Sequence, residues 1–391
     1  MSRVPPDSPL LERALDPPCL RLDPAPGSVD LGYGMTIGIE RTAGGRLWAC
    51  WVGGGDGPPG FFVLATSDDD GASWSGPRLV IDPHDAALGV ARRTLVGSLW
   101  RDPLDRLWLF FDQSLGYFDG RAGTWAVRCD DPDADHPVWS APRRLWHGCN
   151  LNKPIVARDG TWLLPVSLWT RPHAWGGFED CFPDLDPLRG AHVLASTDQG
   201  ATWHDRGHVV LPLAQFDEHQ LIERRDGSLW LSGRTAKGIY ESTSRDGGRT
   251  WSQSSPSPII QTIEPVGWCK DGGNSSRHHL SRLRSGRLLL IKHGQRIDAA
   301  PARRSHLCAF LSADDGTTWD GGLLLDQRAV VSYPDATQAP DGTIYASWDR
   351  DRAELGEILL ARFREEDVLA RLPTSPLCRL ATRIRAKPGI A

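Results

Sequence analysis

Short runs of alternating apolar and polar residues recur along the chain, each just after a turn residue. The turn residues that open the six runs are Gly45, Asp105, Gly160, Gly227, Gly286 and Gly342. The intervals between them are 60, 55, 67, 59 and 56 residues. Alternation with a period of two between turn residues predicts short β-strands. Six copies of one strand-and-turn unit predict an all-β fold, a six-bladed β-propeller.

An octapeptide of the form S-x-D-x-G-x-[ST]-W recurs between these runs. Complete copies begin at Ser67, Ser196, Ser244 and Ser312, and a decayed copy spans residues 133–139. The pattern predicts a hairpin turn in which the aspartate accepts backbone N–H groups and the glycine adopts a positive φ. The copies contain five of the 17 tryptophans, which outnumber the 15 tyrosines and phenylalanines together. We therefore interpret these aspartates as structural.

The repeats run through nearly the whole chain, so we expect residues 1–391 to form one propeller domain. The segment before about residue 35 is expected to supply a strand that closes blade six. Residues from about 370 to 391 are expected to form a tail. Helix signals are scarce, and the best of them covers residues 365–372.

Composition narrows the range of functions. The 44 basic and 49 acidic residues give a net charge of −5, which does not favour nucleic-acid or membrane binding. Without an apolar signal segment at the N-terminus, we expect a cytoplasmic protein whose eight cysteines are free thiols. Phosphate-binding glycine loops, nucleotide fingerprints and metal-ligand clusters do not occur in the sequence, so we expect neither a cofactor nor a metal.

Candidate site residues follow from the repeat. Propeller sites lie on the axis, at the end where the innermost strands begin. The positions 8–10 residues before each turn residue are Met35, Leu95, Asn152, Glu218 with His219, Arg277, and Tyr333, and Lys153 follows Asn152 directly. An acid, an amide, several cations and a phenol are thus expected to converge on one axis. Arg93, just before blade two, is also expected to reach this mouth.

The octapeptide is the Asp box of sialidases, and together with the six blades it resembles the sialidase superfamily over nearly the whole chain. The box by itself is a folding motif and does not define a function. The resemblance implies a glycosidase in which a tyrosine, activated by a glutamate, attacks the anomeric carbon. It also implies an aspartate acid/base and three arginines that hold the carboxylate of the sugar.

The matching positions are specific. Glu218 is followed sixteen residues later by Arg234, and Arg304 lies eight residues before the last Asp box. Tyr333 opens blade six, and Asp56 lies between the first hairpin strand and its Asp box. The resemblance implies that Tyr333 is the nucleophile, Glu218 its base and Asp56 the acid/base. Arg234 and Arg304 are then expected to bind the carboxylate, because guanidinium groups match it bidentately.

The chain departs from the family pattern in blade one. The first arginine of the triad belongs in an R-I-P motif that opens this blade, and Met35 stands in its place. Arg277 or Lys153 could supply the missing charge from another blade. Asn152 and His219 are expected as further contacts with the substrate.

The residues and the resemblance together predict a hydrolase that releases a terminal acidic sugar, sialic acid or a related one, from oligosaccharides or glycoconjugates. Two alternatives stay open. One is a lyase in which Tyr333 or His219 removes the C5 proton of a uronate, and the other is a non-catalytic glycan-binding propeller. Trp175 and Trp268 lie in long loops and could stack on a sugar ring.

Overall fold

The computed structural model describes residues 3–389 except 213, 215, 237, 260–275 and 294–303. The described residues form six antiparallel sheets arranged as the blades of a propeller, which confirms the predicted fold class. Most central strands are buried along their whole length, since each blade packs between two others. The alternating runs of the sequence are the second strands of the blades, when the strands of each blade are counted outward from the axis.

The strands of the first three blades are as follows. Blade one contains β1 (Cys19–Leu22), β2 (Met35–Arg41), β3 (Leu47–Gly53), β4 (Phe61–Ser67) and β5 (Leu79–Asp82). Blade two contains β6 (Arg92–Arg93), β7 (Gly97–Arg101), β8 (Leu107–Leu115), β9 (Gly123–Cys129) and β10 (Arg143–Trp146). Blade three contains β11 (Ile155–Val156), β12 (Trp162–Leu168), β13 (Gly190–Ser196) and β14 (His204–Val209).

The other three blades have four strands each within the described residues. Blade four contains β15 (Gln220–Glu223), β16 (Leu229–Thr235), β17 (Gly238–Ser244) and β18 (Ser255–Pro256). Blade five contains β19 (His279–Arg282), β20 (Leu288–His293), β21 (Leu307–Ser312) and β22 (Asp320–Asp326). Blade six contains β23 (Val331–Gln338), β24 (Ile344–Arg350), β25 (Glu357–Phe363) and β26 (Arg379–Arg385).

Helices are short. Helix α1 spans Pro9–Arg13, and helix α2 spans Glu365–Ala370, where the sequence predicted a helical stretch. Single 3₁₀ segments occur at Ala86–Leu88, Arg171–His173 and Pro183–Leu188. Over the part of the chain that the structure describes, no helix has the length and apolar character needed to cross a membrane.

The Asp boxes join the third and fourth strands of their blades. In the first box the Asp69 carboxylate accepts hydrogen bonds from Ser73 N (2.8 Å) and Ser73 Oγ (2.6 Å), and these bonds lower the pKa of Asp69 to about 2. The box glycine Gly316 has φ +90°, and a Cβ there would lie 2.7 Å from the ring of Trp230 in the preceding blade. The boxes are therefore structural, because they close a turn and seat it on the neighbouring blade.

The chain termini differ from the expectation. The N-terminal strand β1 does not close blade six; it pairs with β5 at the outer edge of blade one. Blade six is completed by β26, so the predicted tail contains its outermost strand. Outer strands of a propeller are half exposed and carry many polar residues, as β26 does. Their hydrophobic alternation is weak, which is why the sequence did not reveal this strand.

Candidate functional site

A pocket of about 150 Å³ opens on the propeller axis at the end where the innermost strands begin. Its walls come from two sets of residues. The starts of the innermost strands contribute Met35, Leu95, Val96, Leu151, Phe216, Glu218 and Tyr333. The connections after the second strands contribute Asp56, Tyr117, Trp169, Arg234, Arg304 and Arg352. Since the first two strands of a blade run antiparallel, the start of one and the end of the other meet at the same face.

Tyr333 is turned into this pocket by an irregularity in β23. The register of β23 against β24 shifts between Ser332 and Asp335, and Tyr333 itself has φ +53°. A bulge of this kind redirects a side chain. Tyr333 is buried, and its Oη donates to Glu218 Oε1 at 2.5 Å. Burial, together with the negative charge of Glu218, raises the pKa of Tyr333 to about 12 against the opposing effect of nearby guanidinium groups.

Glu218 ends a strained turn. Phe216, Asp217 and Glu218 have φ values of +73°, +54° and +46°, a conformation that costs about 1–3 kcal/mol for each such residue. The turn is held because Glu218 N donates to Phe216 O and Arg234 N donates to Asp217 O, both at 2.6 Å. Arg234 Nη1 also lies 2.9 Å from Glu218 Oε1. The surrounding structure thus fixes Glu218 between the phenol of Tyr333 and a guanidinium.

Three guanidinium groups of the described residues face the pocket. Arg234 Nη1 lies 3.5 Å from Tyr333 Oη, and Arg304 Cζ lies 5.9 Å from the centroid of the Tyr333 ring. Arg352 Cζ is 4.2 Å from the same centroid. Asp56 stands at the rim with its side chain half exposed, 3.4 Å from Arg352 Nη1. The predicted residues Tyr333, Glu218, Asp56, Arg234 and Arg304 therefore meet in one pocket.

The opposite side of the pocket is apolar and aromatic. The rings of Trp169 and Phe216 pack edge to face, with centroids 4.9 Å apart. Trp175, predicted as a stacking residue, lies half exposed on Tyr117 with ring centroids 5.4 Å apart. The other predicted stacking residue, Trp268, lies outside the described residues. One wall of the pocket is thus charged and the other suits the apolar face of a sugar.

Arg93 lies behind this wall. Its side chain is fully buried in an ion pair with Asp112, and Arg93 Nε donates to Tyr117 O at 2.8 Å. Asp112 in turn accepts the N–H groups of Leu95 and Val96. Arg93 does not line the pocket; it supports residues that do.

Four other predicted contacts lie below the pocket floor. A buried polar cluster, here called the axial network, comprises Glu40, Asn152, Lys153, Arg277, His279 and Asp335. Lys153 Nζ lies 2.9 Å from Glu40 Oε2 and 3.2 Å from Asp335 Oδ2. Burial alone would lower the pKa of Lys153, but these two carboxylates raise it. Lys153 is therefore occupied by partners from blades one and six.

Arg277 and Asn152 complete the axial network. Arg277 Nε donates to Asn152 Oδ1 at 3.0 Å, and the Arg277 Nη groups donate to Ile37 O. Asn152 Nδ2 donates to Glu218 O at 2.8 Å. The ring of His219 is buried beside the network, 2.8 Å from His192 O, and burial lowers the pKa of His219 to about 4. None of the four predicted residues Asn152, Lys153, His219 and Arg277 lines the pocket.

Several pocket residues escaped the sequence analysis, and Arg352 is the most important of them. It follows β24 in a charged run that resembles an ordinary solvated turn. A usable signal was nevertheless present. Arg234 lies seven residues after Gly227, at the end of a second strand, and Arg352 lies ten residues after Gly342. Counting forward from each turn residue, as well as backward, would have located this part of the pocket.

A larger cavity of about 610 Å³ opens at the opposite end of the axis. Its inner end is the axial network, where Lys153, Glu40 and Asp335 are paired with one another. We assign the candidate site to the smaller pocket, because there a buried phenol donates a hydrogen bond to a buried carboxylate, an arrangement that the described lining of the larger cavity lacks. Within the described ranges, no group of three or more His, Cys, Asp or Glu side chains is arranged to hold a metal ion.

Comparisons with known proteins agree with this architecture. The chain matches the BNR repeat-like domain family over residues 45–346. Comparison with curated proteins gives no significant match. Among solved structures, the intramolecular trans-sialidase of Ruminococcus gnavus is 14% identical with a TM-score of 0.60, over 86% of this chain and 95% of that one. The leech intramolecular trans-sialidase is 14% identical with a TM-score of 0.65, over 90% and 71%.

A different glycosidase has a similar shape. The alpha-L-arabinofuranosidase of Fusarium graminearum is 11% identical with a TM-score of 0.52, over 90% of this chain and 98% of that one. At such identities the likeness concerns the fold alone. The match over most of the chain shows that this protein belongs to the BNR repeat-like domain family, and its six antiparallel sheets form a propeller.

Proposed function

We propose that this protein is a sialidase-like exo-glycosidase that hydrolyses the bond to a terminal acidic sugar, with Tyr333 as the nucleophile. The observation that carries the proposal is the 2.5 Å hydrogen bond from Tyr333 Oη to Glu218 Oε1 inside a pocket faced by three guanidinium groups. The pocket is closed below by Arg277 and the axial network, so it fits the end of a glycan rather than its middle.

A phenol suits an anomeric carbon that carries a carboxylate, since an anionic nucleophile would be repelled by the substrate. With its pKa raised to about 12, Tyr333 stays neutral in the resting site. As Oη bonds to the anomeric carbon, its proton passes to Glu218 Oε1, which already accepts that hydrogen bond. The nucleophile is therefore activated only during attack.

Arg234 has two roles in this scheme. Its Nη1 group contacts both Glu218 Oε1 and Tyr333 Oη, so Arg234 orients the base and the nucleophile. Its guanidinium also faces the pocket together with Arg304. Two guanidinium groups on one side can hold the carboxylate of the sugar by charge-assisted hydrogen bonds, about 1.5–3 kcal/mol for each bond.

Asp56 is suited to the leaving group. It lies at the exposed rim, where the rest of the glycan would leave the pocket. In the first step Asp56 donates a proton to the glycosidic oxygen as the bond from the anomeric carbon to that oxygen breaks. In the second step Asp56 takes a proton from water, whose oxygen replaces Tyr333 on the anomeric carbon. Glu218 then returns the proton to the phenolate.

Two of the similar structures support an acidic substrate. The Ruminococcus gnavus enzyme was solved with oseltamivir carboxylate, and the leech enzyme with 2,7-anhydro-Neu5Ac formed from 3′-sialyllactose. The guanidinium groups of this pocket favour the same chemical class.

The test is hydrolysis of a panel of aryl glycosides of acidic sugars, namely sialic acid, its deaminated analogue and uronates. We expect release of the aryl group from at least one glycoside, and Tyr333→Phe to lower kcat by about 10⁴-fold or more with the fold intact. Tyr345→Phe is the matched control, because the Tyr345 hydroxyl binds Asp70 away from the pocket.

Activity that survives in Tyr333→Phe would contradict the mechanism. An unsaturated product would indicate the lyase instead. If none of the aryl glycosides is hydrolysed but a free sugar acid binds measurably, the protein is a glycan-binding propeller.

A further inference from the structure

Arg352 lies over the ring of the proposed nucleophile, Tyr333. Its Cζ is 4.2 Å from the centroid of the Tyr333 ring, whereas those of Arg277 and Arg304 are 5.8 Å and 5.9 Å away. Its side chain is mostly buried, with 15% exposed. Neither the Asp boxes nor the spacing from Glu218 to Arg234 predicted a cation at this place.

The guanidinium of Arg352 is held in one orientation. Arg352 Nε lies 3.0 Å from Asp349 Oδ1, and Nη2 lies 3.0 Å from Ser332 Oγ. Ser332 Oγ donates to the same Asp349 oxygen at 2.6 Å. Two of the three nitrogens are thereby fixed to β23 and β24. The third, Nη1, points across the pocket to Asp56 Oδ2 at 3.4 Å.

Arg352 lies beside the start of the strand that Met35 opens, since Gly34 N donates to Arg352 O at 3.0 Å. Met35 begins β2, and the next residue, Thr36, donates its N–H to Asp349 Oδ2 at 3.1 Å. The carboxylate that anchors Arg352 is therefore hydrogen-bonded to the strand that Met35 opens. Met35 and Arg352 both line the pocket.

We propose that Arg352, through Nη1, supplies the third guanidinium contact to the acidic group of the substrate, from blade six instead of blade one. The carboxylate of the sugar takes the place that Asp56 occupies on Nη1, and Asp56 is then released to face the glycosidic oxygen. This inference rests on the proposed function, since it names the residue that recognises the acidic group.

The competition between the two carboxylates has a physical basis. Among the described residues, the pocket is lined by three guanidinium groups and two carboxyl groups, Glu218 and Asp56. Glu218 is buried against Arg234 and Tyr333, so it cannot exchange. Asp56 is half exposed, and at 3.4 Å its contact with Nη1 is long for an ion pair. A carboxylate on the substrate, held also by Arg234 and Arg304, can therefore displace it.

The experiment compares an aryl glycoside of the acidic sugar with its methyl ester, in which the negative charge is removed. The variants are Arg352→Met and Arg352→Lys. Arg350→Met is the matched control, since Arg350 lies in the same turn but pairs with Glu357 outside the pocket. Thermal melting checks that each variant folds.

We expect the unaltered protein to prefer the acid over the ester. Arg352→Met should lower kcat/KM for the acid by about 10- to 100-fold, chiefly through KM, and change that for the ester by less than about threefold. Arg352→Lys should give a smaller loss, because an ammonium keeps the charge but not both anchoring bonds. Arg350→Met should keep the original preference.

Binding of the free sugar acid gives a second readout. Arg352→Met should weaken this binding, while Asp56→Asn should bind the acid as tightly as the unaltered protein or more tightly, because the competitor for Nη1 is gone. If Arg352→Met does not fold, Arg352→Lys and Asp56→Asn still test whether Arg352 recognises the acidic group.

The outcomes separate the two proposals. If the unaltered protein prefers the acid and the Arg352 variants keep that preference, Arg352 does not recognise the acidic group, and the proposed function stands without this inference. If the unaltered protein cleaves the ester as well as the acid, or neither, the proposed function fails and the inference fails with it.

Discussion

The pocket and the axial network are two clusters of charged side chains on one axis, built by the same innermost strands. In the axial network, Lys153 and Arg277 lie against Glu40 and Asp335, so two cations meet two carboxylates. In the pocket, the described part of the chain contributes three guanidinium groups and two carboxyl groups, and one of these carboxyl groups is exposed at the rim. The charges of the first cluster are balanced within the protein, although it borders the larger cavity. The second cluster has room and positive charge for an anionic ligand.

The difference distinguishes charged residues that stabilise the propeller from charged residues that can bind a ligand. A buried ion pair whose partners are all protein groups holds blades together, and breaking it leaves an uncompensated buried charge. A guanidinium that borders a cavity can exchange a protein partner for a ligand. Variants in the axial network should therefore affect stability first, and variants in the pocket should affect turnover or substrate affinity first.

The largest effect is expected in the pocket. Glu218→Gln keeps an oxygen to accept from Tyr333 and Arg234 but removes the base, so kcat should fall by about 10²- to 10⁴-fold. Glu223→Gln is the control, since Glu223 lies in the same blade at the far end of the axis. Steady-state kinetics on the acidic glycoside measure the effect. A kcat within threefold of the original value would remove Glu218 from the mechanism.

Removing a charge from the axial network should instead destabilise the fold. Lys153→Met leaves Glu40 and Asp335 without their shared cation, which we expect to lower the free energy of unfolding by about 3–5 kcal/mol. Arg245→Met, at an exposed pair with Asp226, should change it by less than about 0.5 kcal/mol. Denaturant titration measures both. Unchanged stability with a raised KM would show that Lys153 binds the substrate after all.

Asp217 predicts a pH effect under the pocket. Burial raises the pKa of Asp217 to about 6, against the opposing hydrogen bond from Ser167, whereas the ordinary value is 3.8. The native state therefore binds this proton more tightly than the unfolded chain does. The stability that the protonated group contributes is complete below about pH 4 and is lost as the pH rises to about 6.

Asp217→Asn should remove this loss. Relative to the original protein, the variant should gain about 2 kcal/mol in free energy of unfolding between pH 4 and pH 7. Thermal or denaturant unfolding across this range measures the difference. Asp320→Asn, at an exposed position, is the control. A constant difference between variant and original protein would contradict the raised pKa.

The smallest effect is expected at the rim. Trp175 stacks on Tyr117, which lines the pocket, and half of its side chain is exposed. Trp175→Ala should raise KM by about 2- to 10-fold and leave kcat unchanged, because we expect the ring to stack on the sugar at the rim and to take no part in the bond-breaking step. Kinetics on the same glycoside measure the split. A change in kcat alone would mean that the ring acts on the chemistry.

Features that depend on residues close together in the sequence could be predicted from it, whereas features that depend on distant residues could not. The turn residues and the Asp boxes are local, and they predicted six blades and the structural role of the boxes. The starts of the innermost strands were located by counting back a few residues from each turn residue. Tyr333 and Glu218 were therefore found although they are 115 residues apart in the sequence. The N-terminal strand and β26 were misassigned, because the choice of an edge partner is not encoded in either segment.

The sequence alone determined the propeller and the positions of Tyr333 and Glu218 at the starts of innermost strands, since strand alternation and turn chemistry act over a few residues. Their roles as nucleophile and base are proposed from the resemblance to sialidases. Only the tertiary structure decided which cations face the pocket. Lys153 and Arg277 lie near the starts of innermost strands, as predicted, yet partners from other blades hold their side chains below the floor of the pocket. Arg352 enters the pocket through Asp349, which is bonded to Thr36 across 313 residues. Contacts between blades determine where each charged side chain lies along the axis and which group it pairs with.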